Sequence, residues 1–174
     1  PAPISPEVVA TSLEERLSRE GIAILPWNEK SRYLLDRIRF WSAHAPPTRD
    51  KSLPAHEDGG PHLRGRDLSD QGLIARADEW LGPHLVLTGG PVLTSEKLLS
   101  ALRSLPGPGR GRLETQAPES LLLPTGSRRR IDYSSGNPVV EARVQEVFGL
   151  ARSPMILGVP VVFRLLSPAG RPLQ

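Results

Sequence analysis

Residues Leu121 to Gln174 read LLLPTGSRRRIDYSSGNPVVEARVQEVFGLARSPMILGVPVVFRLLSPAGRPLQ. The stretch predicts strand, turn, basic strand, helix and a final apolar strand. Leu121–Leu123 is a short apolar run stopped by Pro124, and Thr125, Gly126 and Ser127 are turn formers. A strand over Arg128–Tyr133 sends Arg129, Ile131 and Tyr133 to one face and Arg128, Arg130 and Asp132 to the other. The first face suits a core with Arg129 near its edge. The second suits water or a polyanion. Ser134, Ser135 and Gly136 turn the chain. Asn137 is a good N-cap and Pro138 a good first helical residue. Val140, Val144, Val147 and Phe148 recur at i, i+4, i+7 and i+8, which predicts an amphipathic helix ended by Gly149. Pro160–Leu166 then predicts a buried strand.

Before this stretch the chain predicts helices. Pro6 and Gly21 bound a first one, with Val9, Leu13 and Leu17 on its stripe. Asn28 caps a second, with Leu34, Ile38 and Trp41 inward and Arg32, Arg37 and Arg39 on the remaining faces. Ser69 caps a third, with Leu73, Ala77, Trp80 and Leu81 sharing a face, and Thr94 or Ser95 caps a fourth with Leu98, Leu102 and Leu105. Between the second and third lies HAPPTRDKSLPAHEDGGPHLRGR, His44–Arg66, which reads as a Pro/Gly-rich loop. The expected organisation is a helical segment over 1–43, a linker or loop over 44–67, a helical pair over 68–105, a linker over 106–120 and an α+β unit over 121–174. The fold class is α+β, with a helical part first, then a small mixed sheet with one packed helix.

Composition narrows the chemistry. Pro (19) and Gly (16) are high for 174 residues and predict long connections. Cysteine is absent, which excludes a disulfide framework and a thiolate metal site. No apolar run approaches the roughly 18 residues of a membrane span, so the cytoplasm is the expected location. Positive charge is concentrated late. Residues 1–60 hold 8 basic and 9 acidic groups, whereas 61–174 hold 14 and 10. Arg103 to Arg130 contains six Arg and two Glu, the electrostatic footprint of a nucleic-acid contact.

Several motifs fail as sites. His44, His56 and His62, with Glu57 and Asp58, lie in the Pro/Gly-rich break and read as polar loop rather than metal ligands. His84 follows a helix end, where it suits the last carbonyls. Asp78 and Glu79 sit inside a helix, not at the strand end a DEAH box needs. Gly107–Gly111, GPGRG, lacks the preceding strand and the Lys-Ser/Thr of a phosphate loop. No catalytic or metal-binding residue is assigned. The Arg cluster remains: Arg128, Arg129 and Arg130 after a Gly-Ser turn, with Arg110 and Arg112 brought near if the preceding loop folds back. Its plain alternative is a solvated strand face with Arg130 beside Asp132.

The strings LPTGSRRRIDYS, RVQEVFGL and VPVVFRLLSPAGRPLQ resemble the C-terminal domain of HrpB-type bacterial ATP-dependent helicases of the DEAH group. LSDQGLIARADEWLGPHL and ETQAPESLLLPTGS resemble the pieces that precede that domain, and GIAILPWNEKSRYLLDRIRFW the helix pair before those. The resemblance therefore spans most of the chain in order. It implies two RecA-like motor domains upstream, which carry ATP, Mg²⁺ and the ATPase residues. The chain itself has no G-x-x-x-x-G-K-[ST] and no DEAH box, and no catalytic residue of the family falls on it. The break at His44–Arg66 is longer than the family's, and Pro106–Gly111 falls where the family keeps more helix. The expectation is a piece of a helicase cut at both ends, docking on the motor domains and bordering the path of single-stranded RNA or DNA. The alternative is a protein-interaction module with no nucleic-acid contact.

Overall fold

The computed structural model describes residues 6–45, 68–83, 93–106 and 110–167. They fall into two compact units, one within Pro1–Leu35 and Lys51–Arg110, the other within Asp36–Asp50 and Gly111–Gln174. The expected loop over His44–Arg66 lies outside the described residues beyond Ala45, as do Ser5, His56, Glu57, Asp58, His62 and His84.

The first unit is helical. Helix α1 spans Pro6–Glu20 and stops where Gly21, at φ +84, donates its N–H to the Leu17 carbonyl at 2.8 Å. A 3-10 turn at Ile22–Ile24 follows, fastened by Trp27 Nε1 donating to the Ile22 carbonyl at 2.7 Å. Helix α2, Glu29–His44, belongs to this unit up to Leu35 and to the second from Asp36 on, and starts at the expected cap: Asn28 Oδ1 accepts from the Ser31 N–H while Ser31 Oγ accepts from the Asn28 N–H, each at 2.9 Å. The third expected helix is broken in two, α3 at Asp70–Ala75 and α4 at Ala77–Trp80, because Arg76 leaves helical geometry at φ −119, ψ 20. Trp80 Nε1 reaches back across the break to the Leu73 carbonyl at 2.9 Å. Helix α5, Ser95–Ser104, is capped by Thr94 and buries Leu98, Ala101 and Leu102. Its stripe packs into a core whose buried apolar side chains include Leu17, Leu25, Leu35, Leu68, Leu73, Ala77, Trp80, Leu81 and Leu105.

The second unit holds the sheet. Residues 106–120, expected as a linker, contain helix α6 at Arg110–Gln116. Strands β1 (Ser120–Leu122), β2 (Arg128–Asp132), β3 (Val139–Arg143) and β6 (Val162–Leu166) lie in the order β1-β2-β3-β6. β1 and β3 run antiparallel to β2, and β6 runs parallel to β3. The crossover from β3 to β6 carries α7 (Val144–Val147) and a hairpin of β4 (Met155–Ile156) and β5 (Val159–Pro160). Leu157 and Gly158, both at positive φ, make the hairpin's two-residue turn. The chain is thus α+β with a small mixed sheet, as the sequence predicts.

Two expectations are corrected here. The helix predicted from Pro138 to Phe148 is mostly β3, with a single helical turn after it. Val139–Arg143 also alternates, burying Val140 and Ala142 and exposing Glu141 and Arg143, and pairing with β6 at Val140↔Phe163 and Ala142↔Leu165 decides for the strand. Phe148, expected on a core stripe, is 68% exposed. The last strand is also less buried than its composition suggests. Among the described residues β6 has a ladder partner on one side only, Val162 is 51% exposed, and Val161 just before it is buried.

Candidate nucleic-acid interface

The faces of β2 are those its alternation predicts. Ile131 and Tyr133 are buried, Arg129 is half-buried beside them, and Arg128, Arg130 and Asp132 are exposed. The register extends this outer face over the whole sheet. β1 adds Ser120 and Leu122 opposite Arg130 and Arg128, β3 adds Val139, Glu141 and Arg143, and β6 adds Val162, Arg164 and Leu166. Four arginines, Arg128, Arg130, Arg143 and Arg164, therefore share one face of one sheet. Two carboxylates sit among them. Arg164 Nη1 donates to Glu141 Oε1 at 3.0 Å. Asp132 is held below the ordinary carboxylate range, first by the Ser134 N–H donating to Oδ1 at 2.9 Å, then by the Ser134 side chain and the nearby Arg164 and Arg130 charges.

The inner face shows why the three arginines are not equivalent. Arg129 makes a bidentate pair with Glu146 of α7, Nε to Oε2 at 3.1 Å and Nη2 to Oε1. Glu146 Oε2 also accepts the Arg143 N–H at 2.9 Å, closing the first turn of α7. These contacts, the Arg129 hydrogen bonds foremost, hold the Glu146 carboxyl below its usual range and raise the Arg129 pKa. Arg129 thus fastens α7 to the sheet, and Arg128 and Arg130 carry the outward charge of β2.

Arg112 is exposed on α6, a separate element, and the side chain of Arg110 lies outside the described ones. What fixes α6 is Arg37, which the expected pattern puts off the apolar stripe of α2. Its side chain is 1% exposed. Nε donates to the Ala117 carbonyl and Nη2 to the Leu113 carbonyl at 3.4 Å, so the guanidinium takes up carbonyls at the C-terminal end of α6. Glu114 at 3.0 Å and Glu119 at 3.3 Å balance its charge. Trp41 Nε1 adds a bond to Gln116 Oε1 at 2.9 Å. The signal was present: Arg37 stands three residues after Leu34 and four before Trp41, inside the stripe. Tyr133 completes the frame, its hydroxyl donating to the Pro118 carbonyl at 2.6 Å and its ring resting on Phe40 at 4.9 Å.

His44 ends α2 with Nδ1 at 3.0 Å from the Phe40 carbonyl and its ring on Phe40. Among the described residues no group of three or more His, Asp or Glu is arranged to hold a metal, and no helix is long and apolar enough to cross a membrane.

The HrpB_C family, described as ATP-dependent helicase C-terminal, matches residues 80–174. The ATP-dependent RNA helicase HrpB of Escherichia coli (strain K12) is 36% identical over 162 residues, covering 89% of this chain and 18% of that protein. The crystal structure of the E. coli DExH-box NTPase HrpB superposes at a TM-score of 0.71 with 29% identity, covering 100% of this chain and 20% of that one. The crystal structure of the E. coli DEAH/RHA helicase HrpB does so at 0.69 with 27% identity, covering 99% and 21%. The chain spans about a fifth of the length of these relatives. A shared fold over the whole chain and a family match over more than half of it lead to one conclusion: the chain belongs to the HrpB-type family of ATP-dependent helicase C-terminal regions.

Proposed function

We propose that this chain is the accessory C-terminal region of a cytoplasmic DEAH-group RNA helicase, docking on the motor domains and bordering the path of a single strand. The observation that carries this reading is the outer sheet face. Arg128, Arg130, Arg143 and Arg164 project from adjacent strands there, in a chain whose relatives are helicases. Rows of guanidinium groups on a flat face position phosphates without reading bases. ATP and Mg²⁺ belong to the motor domains in this reading. The present residues do not fit them, since no phosphate loop occurs in the sequence and no carboxylate group among the described residues is arranged for a metal.

The contact runs through Arg128 and Arg130, with Arg112 as a third cation, while Arg129 keeps α7 in place. The test is a titration of a labelled single-stranded RNA into the chain at several salt concentrations. Binding is expected to be weak and sequence-independent, and Arg128→Gln with Arg130→Gln to weaken it and flatten its salt dependence. Unchanged affinity and slope in the double variant would move the contact elsewhere. The second reading, a protein-docking module, is favoured by Leu122 at 58% and Val162 at 51% exposure on the same face. Absence of binding by the parent at low salt would select it.

A further inference from the structure

We propose that the open edge of β6 receives an extended strand of the same helicase from outside these 174 residues. The inference deepens the reading above by naming how the chain docks, and it rests on that reading. The backbone shows which side of β6 is open. Val162 donates its N–H to the Pro138 carbonyl at 2.9 Å, toward β3, and Val161 donates in the opposite direction to the Pro154 carbonyl at 2.8 Å. Backbone groups alternate sides along a strand, so Arg164 and Leu166 face β3 with Val162, and Phe163 and Leu165 face away. Among the described residues, the N–H and C=O groups of Phe163 and Leu165 have no hydrogen-bond partner.

The side chains also end one strand short. Val140 and Ala142, the ladder partners of Phe163 and Leu165, are at 0% exposure, whereas Phe163 and Leu165 are half-buried. On the other face of the strand Val162 is exposed. β1, at the opposite edge of the sheet, has three residues, and so short an edge is a poor template for pairing. β6 has five, with no proline among them. Open donors and acceptors beside half-covered apolar side chains are what an added strand completes.

The open groups select the partner. A phosphate chain accepts from N–H groups and leaves the carbonyls unpaired, so a polynucleotide does not complete this edge. A second copy related by a two-fold axis pairs Phe163 with Leu165 and sets the two Arg164 side chains directly opposite each other, and like charges so placed destabilise a strand pair. A segment with an acidic residue opposite Arg164 and apolar residues toward Phe163 and Leu165 has neither fault. Two open residues also hold too little to offset the entropy of capturing a free peptide, whereas a tethered segment bears only part of that cost. The relatives are about five times the length of this chain, so in the reading above the same polypeptide supplies the segment.

The test is residue-resolved hydrogen exchange on the whole helicase and on the 174-residue chain. The Phe163 and Leu165 amides are expected to exchange at least about tenfold more slowly in the whole helicase, with Arg164 and Leu166 slow in both. Slow exchange at Phe163 and Leu165 in the chain alone would mean that the edge is closed from within it, which overturns the inference. Fast exchange at both in the whole helicase also overturns it. Docking then stands if other residues of the chain gain protection there, and fails with the inference if none does. Leu165→Pro in the whole helicase gives a check that does not need the separate chain, since it removes one outward N–H and leaves the ladder with β3. It is expected to speed exchange at Phe163 at least about tenfold and to leave Arg164 slow. Unchanged exchange at Phe163 overturns the added strand.

Discussion

Arg37 and Glu146 are both buried charged side chains, and they hold their surroundings by different means. Arg37 replaces water for the carbonyls of Leu113 and Ala117, while its carboxylate partners are largely in solvent, Glu114 at 57% and Glu119 at 66% exposure. Removing either carboxylate costs little, because an exposed partner is screened. Removing the guanidinium strands two buried carbonyls. Arg37→Met is therefore expected to lower stability by about 2–3 kcal/mol, and Glu114→Gln by less than about 1 kcal/mol, as read from urea unfolding. Glu146 acts through ionisation. Its folded pKa lies below the unfolded one, so its contribution is complete above the ordinary carboxylate range. That contribution is lost as pH falls through the depressed folded value. The stability gap between the parent and Glu146→Gln should be widest near neutrality and close below the usual carboxylate range. A gap that stays constant down to pH 2–3 would mean that the pair with Arg129 is not what the glutamine removes.

At the scale of elements, β3 decides the architecture of the second unit. It is flanked by β2 on one side and β6 on the other, and Val140, at 0% exposure, lies between Ile131 and Phe163. A helical reading would make Val144 the central residue of the stripe, but Val144 is half-buried in a one-turn helix. Val140→Asp puts a carboxylate on the buried face of β3, between Ile131 and Phe163, and is expected to cost several kcal/mol, enough to unfold the unit. Val162→Asp, at a half-exposed edge position, is expected to stay within about 1 kcal/mol of the parent. Circular dichroism melts of the two variants check the register directly. Equal melts would overturn this burial pattern, and a lower melt for Val162→Asp than for Val140→Asp would mean that the strand faces are reversed.

For the whole molecule, the relevant quantity is where its charge faces. The formal net charge is only +3, too small to draw a polyanion by itself. Binding must come from the local face, and two or three phosphate contacts on a single strand give a log-log salt slope of about −1.5 to −2. A slope much steeper than that would point to a larger basic surface elsewhere on the chain. The residues that make this face were partly legible in sequence. Alternation alone put Arg128 and Arg130 outward and Ile131 and Tyr133 inward, because a strand's side chains can only alternate. Caps at Asn28, Ser69 and Thr94 and the stop at Gly21 were likewise set locally, since a helix end is satisfied by residues within one turn of it. Contacts between residues far apart in sequence were not legible. Arg129 meets Glu146 across 17 positions and Arg37 meets Ala117 across 80. Val139–Val147 satisfied a helical and an alternating period at once, and only the parallel ladder offered by β6 chose between them. That choice turned Phe148 from an expected core residue into an exposed ring. Local backbone chemistry determined where elements start, stop and face. Long-range pairing decided which period won and which charges were neutralised, because those energies do not exist until distant segments meet.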